Sequence, residues 1–336
     1  MHIQQNIDLK PYNTFGIDAK TKYFAEYSTI EELREILGSE IVKENPLLHI
    51  GSGSNLLFLK DFEGIILHSQ IKSIEKINET DEFVWLKVGS GAVWDDFVGY
   101  CVENGYYGVE NLSLIPGEVG ASAVQNIGAY GMEVKDSIIS VQTISIETLD
   151  EVIFTHEACR YDYRKSIFKT DLKGKYIVTA VLFRLKKHAA FELNYQHLKE
   201  EVIKNGEINL KNIRNTVIEI RRSKLPDPAL MGNAGSFFMN PVVPKDNYEI
   251  LLRSYPAMPH YPVSDTEVKV PAGWLIDQCG LKGKHFGRVG VHEKQALVLV
   301  NLGGASGSDI ATVAAFIQLT VKKKFGIEIR PEVNYI

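Results

Sequence analysis

Four charged or hydroxyl side chains in this sequence lie in segments suited to anion binding or proton transfer. Arg164 lies in the tyrosine-rich run C-R-Y-D-Y-R-K-S-I-F-K, Lys224 in R-R-S-K-L-P-D-P, and Ser236 in G-N-A-G-S-F-F-M-N-P. Glu332 lies in the last segment, I-E-I-R-P-E-V-N-Y-I. A guanidinium is always charged and can bind a carboxylate with two hydrogen bonds, and burial can raise the pKa of a carboxyl group. Each residue alone also has an ordinary explanation: a surface arginine, a lysine at a helix C-terminus, a turn serine and a solvated glutamate.

The segment I-P-G-E-V-G-A-S-A-V-Q-N-I-G-A-Y-G, residues 115–131, combines glycines with small and amide side chains. It shows no helical or strand period, so the composition predicts a loop outside the core. Because glycine has no Cβ, its backbone can take positive φ and can lie against a flat or anionic group. Two structural alternatives stay open for this segment, a set of tight turns and a place where two backbones touch.

A second glycine-rich segment, G-S-G-S-N at residues 51–55, follows the apolar run P-L-L-H-I. It resembles the start of the dinucleotide fingerprint G-x-G-x-x-G, but leucines follow where the third glycine would stand. The segment therefore predicts backbone N–H groups and hydroxyls that suit a phosphate, without the fingerprint's fold. A third run, G-G-A-S-G-S-D, is interpreted as a helix N-cap formed by Ser308 and Asp309.

Composition is that of a soluble globular protein. The 336 residues predict two or three domains, and 45% of them are hydrophobic and 24% charged. The net charge of −5 argues against general attraction to nucleic acid or anionic membranes. We expect neither a signal peptide nor a membrane span, since no sufficiently long apolar run is present. Cys101, Cys159 and Cys279 lack metal-ligand spacing, as expected of reduced cysteines in a cytoplasmic protein.

Helices are predicted where apolar residues recur at helical spacing. Thr29 and Glu32 predict a capping box, and Gly38 ends the helix that follows. A second helix is predicted from an apolar stripe formed by Val93, Trp94, Phe97, Val98, Cys101 and Val102. Further helices are expected over residues 274–279 and from the third glycine run to near Lys324.

Strands are predicted over residues 83–88, 138–146, 176–185 and 296–301, from alternating or continuous apolar residues. Strands and helices alternate along the chain, which favours an α/β or α+β fold. Two prolines follow an amphipathic helix at residues 223–228, which predicts a domain boundary there.

A series of short segments, taken together, is more specific than any single motif. In order, these are N-T-F-G, G-S-G-S-N, N-L-S-L-I-P-G, Q-N-I-G-A-Y-G, Y-R-K-S-I-F-K, K-L-P-D-P, G-N-A-G-S-F-F, A-G-W-L-I-D, Q-A-L-V-L-V-N and P-E-V. The series resembles the UDP-N-acetylenolpyruvoylglucosamine reductase family, flavoenzymes that complete UDP-N-acetylmuramate in peptidoglycan synthesis. The resemblance covers residues 10–336, and Tyr195 in F-E-L-N-Y-Q-H-L marks the subgroup with a tyrosine loop.

The resemblance implies an α+β protein with an FAD-binding fold of the vanillyl-alcohol-oxidase type. Residues 1–70 with 327–336 would form the first FAD-binding subdomain, and residues 71–222 the second. Residues 223–326 would form an α+β substrate-binding domain.

Noncovalent FAD is the cofactor that the resemblance implies, with NADPH as co-substrate. The loop 51–55 would hold the pyrophosphate, and the segment 116–131 would run along the flavin. The implied cofactor-binding residues are Gly51, Ser52, Gly53, Ser54, Asn55, Pro116, Gly117, Ser122, Asn126, Gly128, Tyr130, Gly131 and Arg221. Ala121 stands where some family members have a second serine, so we expect Ser122 and backbone N–H groups to make these contacts.

The catalytic residues carried over by the resemblance are Arg164, Ser236 and Glu332. Hydride would pass from NADPH through the flavin to the methylene carbon of the enolpyruvyl group. Arg164 and a protonated Glu332 would stabilise the developing negative charge, and Ser236 would protonate the neighbouring carbon. Lys224 would bind the substrate diphosphate, and the rest of the substrate site would comprise Tyr195, Asn240, Tyr261, Lys269 and Gln295.

Two other functions stay open at this point. One is a flavin oxidase of the same fold acting on a sugar acid or lactone, and the other is a non-catalytic module that binds a nucleotide sugar or flavin. The expected partners are a UDP-sugar and NADPH, with no metal, nucleic acid or membrane, and the protein is expected to be a cytoplasmic monomer.

Overall fold

A computed structural model describes residues 2–195 and 197–336 of the chain. The α-helices it contains are α1 (Ile30–Leu37), α2 (Glu40–Glu44), α3 (Trp94–Glu103), α4 (Val119–Gln125), α5 (Leu198–Lys204), α6 (Leu210–Lys224), α7 (Lys245–Leu252), α8 (Ala272–Gln278) and α9 (Gly307–Phe325).

The β-strands are distributed along the same range. They are β1 (Gln4–Asp8), β2 (Lys20–Tyr27), β3 (Leu47–Ile50), β4 (Leu56–Leu57), β5 (Phe62–Ser69), β6 (Ile74–Glu79), β7 (Phe83–Gly89), β8 (Gly128–Ala129), β9 (Met132–Glu133), β10 (Ile138–Ser145), β11 (Glu151–Thr155), β12 (Tyr176–Lys186), β13 (Asn233–Ser236), β14 (Val242–Pro244), β15 (Tyr261–Pro262), β16 (Glu267–Lys269), β17 (His285–Phe286), β18 (Val289–Val291), β19 (Val298–Asn301) and β20 (Asn334–Tyr335).

Two compact units account for the chain. The first contains residues 1–7, 21–52 and 63–223, and the second contains residues 8–20, 53–62 and 224–336. Both units are therefore built from separated segments. The division into two FAD-binding subdomains and a substrate-binding domain stays a prediction.

The first unit is organised around two sheets, in the strand orders β1-β2-β5-β3 and β11-β10-β12-β7-β6. The five-stranded sheet is antiparallel throughout, and its central strand β12 alternates apolar residues as the sequence predicted. On α3, four members of the predicted stripe are fully buried: Trp94, Phe97, Val98 and Cys101. Val93 is not part of that buried face, because it is the N-cap residue of α3 and is 45% exposed.

The second unit contains a four-stranded sheet, β13-β19-β18-β17, and a three-stranded sheet, β14-β16-β15. The last strand, β20, pairs in parallel with β4 of the same unit. Prediction of a cap for α9 at Ser308 was wrong, since Ser306 is the N-cap and forms a capping box with Asp309. Ser308 instead lies inside the first turn, because the helix begins one residue before it.

The capping box predicted for α1 forms only in part. Thr29 Oγ1 accepts from Glu32 N at 3.1 Å, as predicted, but the Glu32 carboxylate accepts from Ser28 N rather than from Thr29 N. The backbone N–H of Ser28, the residue before the N-cap, thus donates the second hydrogen bond. The side chains of Thr29 and Glu32 therefore each still accept from a backbone N–H at the start of the helix.

The segment 115–131 is not the loop that its composition predicted. Residues 119–125 form helix α4, and Gly120, Ser122 and Ala123 are buried. A Cβ on Gly120 would lie 2.7 Å from Ser90 Cβ, and Gly120 N donates to Ser90 O at 2.9 Å. The small residues thus allow a helix to touch a neighbouring backbone, which was one of the two structural alternatives.

Gly53 allows the loop 51–55 to approach the chain at Tyr12. Its φ is +69°, and a Cβ there would lie 1.9 Å from the carbonyl oxygen of Tyr12. We expect Gly53→Ala to lower the free energy of unfolding by about 3 kcal/mol or more, since both left-handed strain and a backbone clash oppose it. Urea unfolding followed by circular dichroism measures this.

Gly16→Ala is a matched control for Gly53→Ala. Gly16 has a similar φ of +63°, but a Cβ there would meet no atom within 4 Å. In Gly16→Ala, the free energy of unfolding should fall only by the cost of the left-handed backbone, about 1–2 kcal/mol. Equal losses in the two variants would show that the Tyr12 contact has no energetic role.

Candidate functional site

Arg164 lies against the end of the glycine-rich segment in the first unit. Its Nη1 donates to Asn126 O at 3.2 Å and its Nη2 donates to Gly128 O at 2.6 Å. Its backbone has φ +55°, in the left-handed region that few side chains other than glycine adopt. Strain of this kind persists only where surrounding contacts impose it, and it occurs often at functional sites. The structure thus brings Arg164 together with Asn126 and Gly128.

Asn126 connects four segments of the first unit. It is fully buried, ends α4 with φ +49°, and its amide donates to Asp162 O at 2.9 Å and to a Glu133 carboxylate oxygen at 3.3 Å. Its Oδ1 accepts from Lys135 N at 3.2 Å. Asparagine tolerates left-handed backbone better than most residues, and its amide both donates and accepts here. The side chain of Asn126 is therefore used for positioning, and its carbonyl oxygen accepts from Arg164 Nη1.

Ser236 and Glu332 are brought together in the second unit. Ser236 is exposed and is the last residue of β13, where the pairing with β19 shifts register after Asn233. Ser236 therefore lies at the end of an irregular strand and not in a turn, which was its ordinary explanation. Irregularities of this kind often change the direction of a side chain. Glu332 N donates to Phe237 O at 2.8 Å, which places Glu332 beside the residue that follows Ser236. Arg164 belongs to the other unit.

The loop 51–55 has features that suit an anionic ligand. Ser52 is exposed, and the glycine at 53 brings the backbone close to residues 12 and 13. Thr14 N donates to Gly53 O at 3.4 Å, while the buried Thr14 hydroxyl makes no hydrogen bond with the described residues. An unpaired buried hydroxyl beside a glycine loop is a donor that a phosphate can use. On this observation the residues present fit the pyrophosphate of FAD.

Asn55 ties the end of this loop to the C-terminal segment. Its Nδ2 donates to Glu332 O at 3.2 Å, and its carbonyl accepts from Asn334 N at 3.0 Å. Within the second unit, the last residue of the predicted phosphate loop is thus hydrogen-bonded to the backbone of the predicted catalytic glutamate.

Ser122 lies inside helix α4 with little exposure. The residue is 2% exposed, and its hydroxyl donates to Val119 O at 2.7 Å. A phosphate accepts hydrogen bonds and the proton of Ser122 is already donated, so the hydroxyl has no donor left for it. Ala121 is exposed beside it. The place for a hydroxyl contact is thus position 121, where this chain has only a methyl group.

Tyr130 and Arg221 interact within the first unit. Burial lowers the pKa of Arg221, while the Tyr130 hydroxyl and charge oppose that shift, and burial raises the pKa of Tyr130. Arg221 Nε also donates to Leu114 O at 3.2 Å. Tyr130 and Arg221, both predicted to bind the cofactor, therefore lie in one partly buried cluster. Through Arg221 this cluster joins residues 114 and 130, which lie near the two ends of the segment 115–131. Pro116 and Gly131 are exposed, and Gly117, with φ +134°, is half-buried.

Four predicted substrate residues lie near one another in the second unit. Tyr261 and Lys269 are direct cross-strand partners on β15 and β16. Asn240 Oδ1 accepts from Ala272 N at 2.9 Å, and a Cβ on Gly273 would lie 3.1 Å from Gln295 Oε1, so both amides lie beside the start of α8. Lys224 is exposed and is the last residue of α6.

Asn111 is a positioning residue that sequence reasoning missed. It is fully buried, and its Nδ2 donates to Tyr130 O at 2.8 Å and to Glu192 O at 2.7 Å. The Tyr130 and Tyr195 rings meet edge to face, with centroids 5.9 Å apart. One amide therefore holds the Tyr195 segment against the glycine-rich segment. In the sequence, only the position of Asn111 in the motif N-L-S-L-I-P-G could have indicated this role. Nothing in the residues around it predicts a hydrogen bond to residue 192. Residue 196 lies outside the described residues.

Over residues 2–195 and 197–336, no helix is long and apolar enough to cross a membrane. The same residues contain no group of three or more histidine, cysteine, aspartate or glutamate side chains that could hold a metal ion.

Two family models match parts of this chain. A family model described as "UDP-N-acetylenolpyruvoylglucosamine reductase, C-terminal domain" matches residues 227–336, and one described as "FAD binding domain" matches residues 21–147. A UDP-N-acetylenolpyruvoylglucosamine reductase of Bacteroides fragilis is 53% identical over 334 residues, which cover 99% of this chain and 100% of that protein. The chain belongs to the UDP-N-acetylenolpyruvoylglucosamine reductase family.

Another member of the reductase family, from Porphyromonas gingivalis, is 50% identical over 338 residues and covers 100% of both chains. The crystal structure of the reductase from Thermus caldophilus has a TM-score of 0.69 to this chain at 22% identity, covering 100% of this chain and 99% of that one. At that identity the structural likeness concerns the fold. The predicted family and the α+β fold with an FAD-binding domain are both confirmed.

Proposed function

We propose that this protein reduces UDP-N-acetyl-enolpyruvoylglucosamine to UDP-N-acetylmuramate with NADPH, as a step in peptidoglycan precursor synthesis. The single observation that carries the proposal is full-length identity of 53% to a reductase of that name. Two observations support it: in one unit Glu332 N donates to Phe237 O, beside Ser236, and in the other unit Arg164 donates to two carbonyls of the glycine-rich segment.

The cofactor is FAD, held noncovalently. When bound, FAD supplies the transfer of hydride from NADPH to the substrate. The residues that would hold it are the loop 51–55, including the neighbouring hydroxyl of Thr14, and the segment 116–131 with Arg221. This assignment is supported by the match of residues 21–147 to an FAD-binding domain and by the unpaired donor on Thr14.

Three side chains would act on the substrate. Arg164 would hold the enolpyruvyl carboxylate, since a guanidinium forms two parallel hydrogen bonds to such a group. A protonated Glu332 would stabilise the negative charge that develops next to that carboxylate, and Ser236 would donate a proton to the carbon that carries it. The methylene carbon gains hydride and its neighbour gains the proton, so the double bond is reduced to a single bond.

The nucleotide part of the substrate would be bound by the second unit. Lys224 would meet the diphosphate, and Asn240, Tyr261, Lys269 and Gln295 would line the remaining site, with Tyr195 contributing from the tyrosine loop. Clustering of the four second-unit residues around β15, β16 and the start of α8 supports this. We further propose that the protein is cytoplasmic and acts as a monomer.

Stopped-flow spectroscopy of the purified holoenzyme tests the proposed function. The absorbance of bound flavin should be bleached by NADPH without oxygen, and should return when the enolpyruvyl nucleotide sugar is added. Return only on adding oxygen, with a sugar acid or lactone as the better reductant, would favour the oxidase alternative. A colourless protein that binds no added FAD would leave only a nucleotide-sugar-binding module.

Replacement of Asn111 by aspartate should weaken substrate binding. The variant keeps the side-chain shape but turns the two donors toward Tyr130 O and Glu192 O into a carboxylate oxygen, which repels those carbonyls. We expect the KM for the enolpyruvyl substrate to rise by about tenfold or more, with NADPH reduction of the flavin little changed. Steady-state kinetics and the two half-reactions measure this.

Asn209→Asp is the control for Asn111→Asp. Asn209 is exposed, and its Oδ1 accepts from Asn212 N at 2.9 Å, which an aspartate does equally well. The control should match the wild type. If Asn111→Asp also leaves the substrate KM unchanged, the segment 192–195 does not depend on this amide for its position.

A further inference from the structure

A partly buried charge cluster outside the proposed catalytic residues lies beside the start of the loop 51–55. His68 Nε2 is 2.8 Å from Glu118 Oε1, and His68 Nδ1 is 2.9 Å from Glu26 Oε1. Gln70 Nε2 also donates to Glu26 Oε1, at 2.6 Å. The side chains of His68 and Glu118 are only 12% and 9% exposed. One imidazole is thus bonded on both sides to carboxylates, an arrangement that favours its protonated form because both ring nitrogens then donate.

Three elements of the first unit converge on this imidazole. Glu26 lies on β2, His68 lies on β5, and Glu118 is the N-cap residue of α4, where its side chain makes no capping hydrogen bond. The other Glu118 oxygen, Oε2, faces the phosphate loop, since a Cβ on Gly51 would lie only 3.1 Å from it. The carboxylate of Glu118 therefore lies between His68 and Gly51.

A carboxylate next to a phosphate site opposes the ligand unless another charge neutralises it. Like charges a few ångströms apart repel strongly in a partly buried site, where solvent screens them poorly. A protonated His68 would supply the neutralising charge, since its Nε2 lies 2.8 Å from the Glu118 carboxylate. A neutral His68 leaves the negative charge of Glu118 unbalanced beside Gly51.

Among the described residues, the titratable groups on the neighbouring strands β3 and β2, His49 and Tyr27, do not supply a positive charge. On β3, burial and then the charge of His68 lower the pKa of His49 to about 3, so that ring is neutral. On β2, burial raises the pKa of Tyr27, whose neutral hydroxyl lies 2.8 Å from His49 Nε2. For His68, burial lowers the pKa, but the hydrogen bond and charge of Glu118 and then those of Glu26 outweigh it, and the net pKa is raised.

We propose that His68 is a positioning residue that neutralises Glu118 beside Gly51 and thereby allows the anionic pyrophosphate of FAD to bind. The inference rests on the proposed function, which places the pyrophosphate at the loop 51–55. It makes FAD affinity depend on pH. Because the pKa of His68 is raised, the imidazole keeps its charge through the ordinary range of histidine titration. The charge is lost only as the pH rises above that range, so the affinity for FAD falls at alkaline pH.

The test is a double-mutant cycle on the affinity for FAD. Apoprotein of the wild type, His68→Gln, Glu118→Gln and the double variant is titrated with FAD by flavin fluorescence, from about pH 6 to about pH 9.5. At the lower end, His68→Gln should bind FAD about tenfold or more weakly than the wild type, and its affinity should vary less with pH. Glu118→Gln should bind at least as tightly as the wild type, and adding His68→Gln to it should cost little.

Two outcomes would overturn the inference. One is a His68→Gln loss that persists in full in the Glu118→Gln background, which would mean that the imidazole does not act through Glu118. The other is a wild-type affinity that does not fall at alkaline pH, a measurement that needs no variant to fold. Failure of the wild type to bind FAD at any pH would instead overturn the proposed function itself.

Discussion

Replacement of Ser236 by alanine should leave the reduction of the flavin by NADPH nearly normal and slow the reoxidation by the enolpyruvyl substrate by about 10²–10⁴-fold. The hydroxyl would be needed only where a proton is delivered to the substrate carbon, and this occurs in the second half-reaction. Each factor of ten corresponds to about 1.4 kcal/mol of transition-state stabilisation. Stopped-flow absorbance of the flavin separates the two halves.

The Ser236→Ala substitution should have little effect on the stability of the fold. Ser236 is exposed at the end of β13, and alanine can keep its backbone pairing with Val298 on β19. Ser308→Ala is a matched control, because Ser308 is also exposed, on α9, and has no proposed role. Equal slowing of both half-reactions by Ser236→Ala would assign Ser236 to the fold or to the cofactor.

Replacement of Arg164 by lysine should slow the second half-reaction by about 10²–10³-fold, the range seen when one donor to a developing oxyanion is removed. A lysine keeps the charge but has one compact ammonium in place of the planar fork. It cannot donate at once to Asn126 O and Gly128 O, as the two Nη atoms do, and still align with a carboxylate. The first half-reaction should be slowed less.

The left-handed backbone at residue 164 should not contribute to the difference in rate between the wild type and Arg164→Lys. The φ of +55° is equally costly for arginine and lysine, since both carry a Cβ. Arg160→Lys is the control, because Arg160 lies in the same segment with φ +46° and forms an exposed ion pair with Asp171 at 2.5 Å. Unchanged turnover in Arg164→Lys would remove Arg164 from the site, and equal slowing of both half-reactions would restrict it to shaping the segment 126–128.

Several elements could be predicted because their determinants are local. The buried stripe on α3 and the alternation on β12 follow from apolar spacing within a few residues. Errors arose where local patterns were ambiguous. The segment 119–125 is helical although its small residues show no amphipathic period, because its buried face touches a backbone and needs almost no side-chain volume.

Taken alone, the sequence predicted the family and the FAD-binding domain, which are confirmed, and it also predicted the candidate catalytic residues, since all of these depend on motifs that stand in a fixed order. Only the tertiary structure decided which groups meet. It placed Glu332 beside the residue after Ser236, bonded the Asn111 amide to residues 130 and 192, and set His68 between Glu118 and Glu26. These contacts join residues far apart in the chain, and hydrogen bonds between such residues leave no local period or composition that a sequence could display.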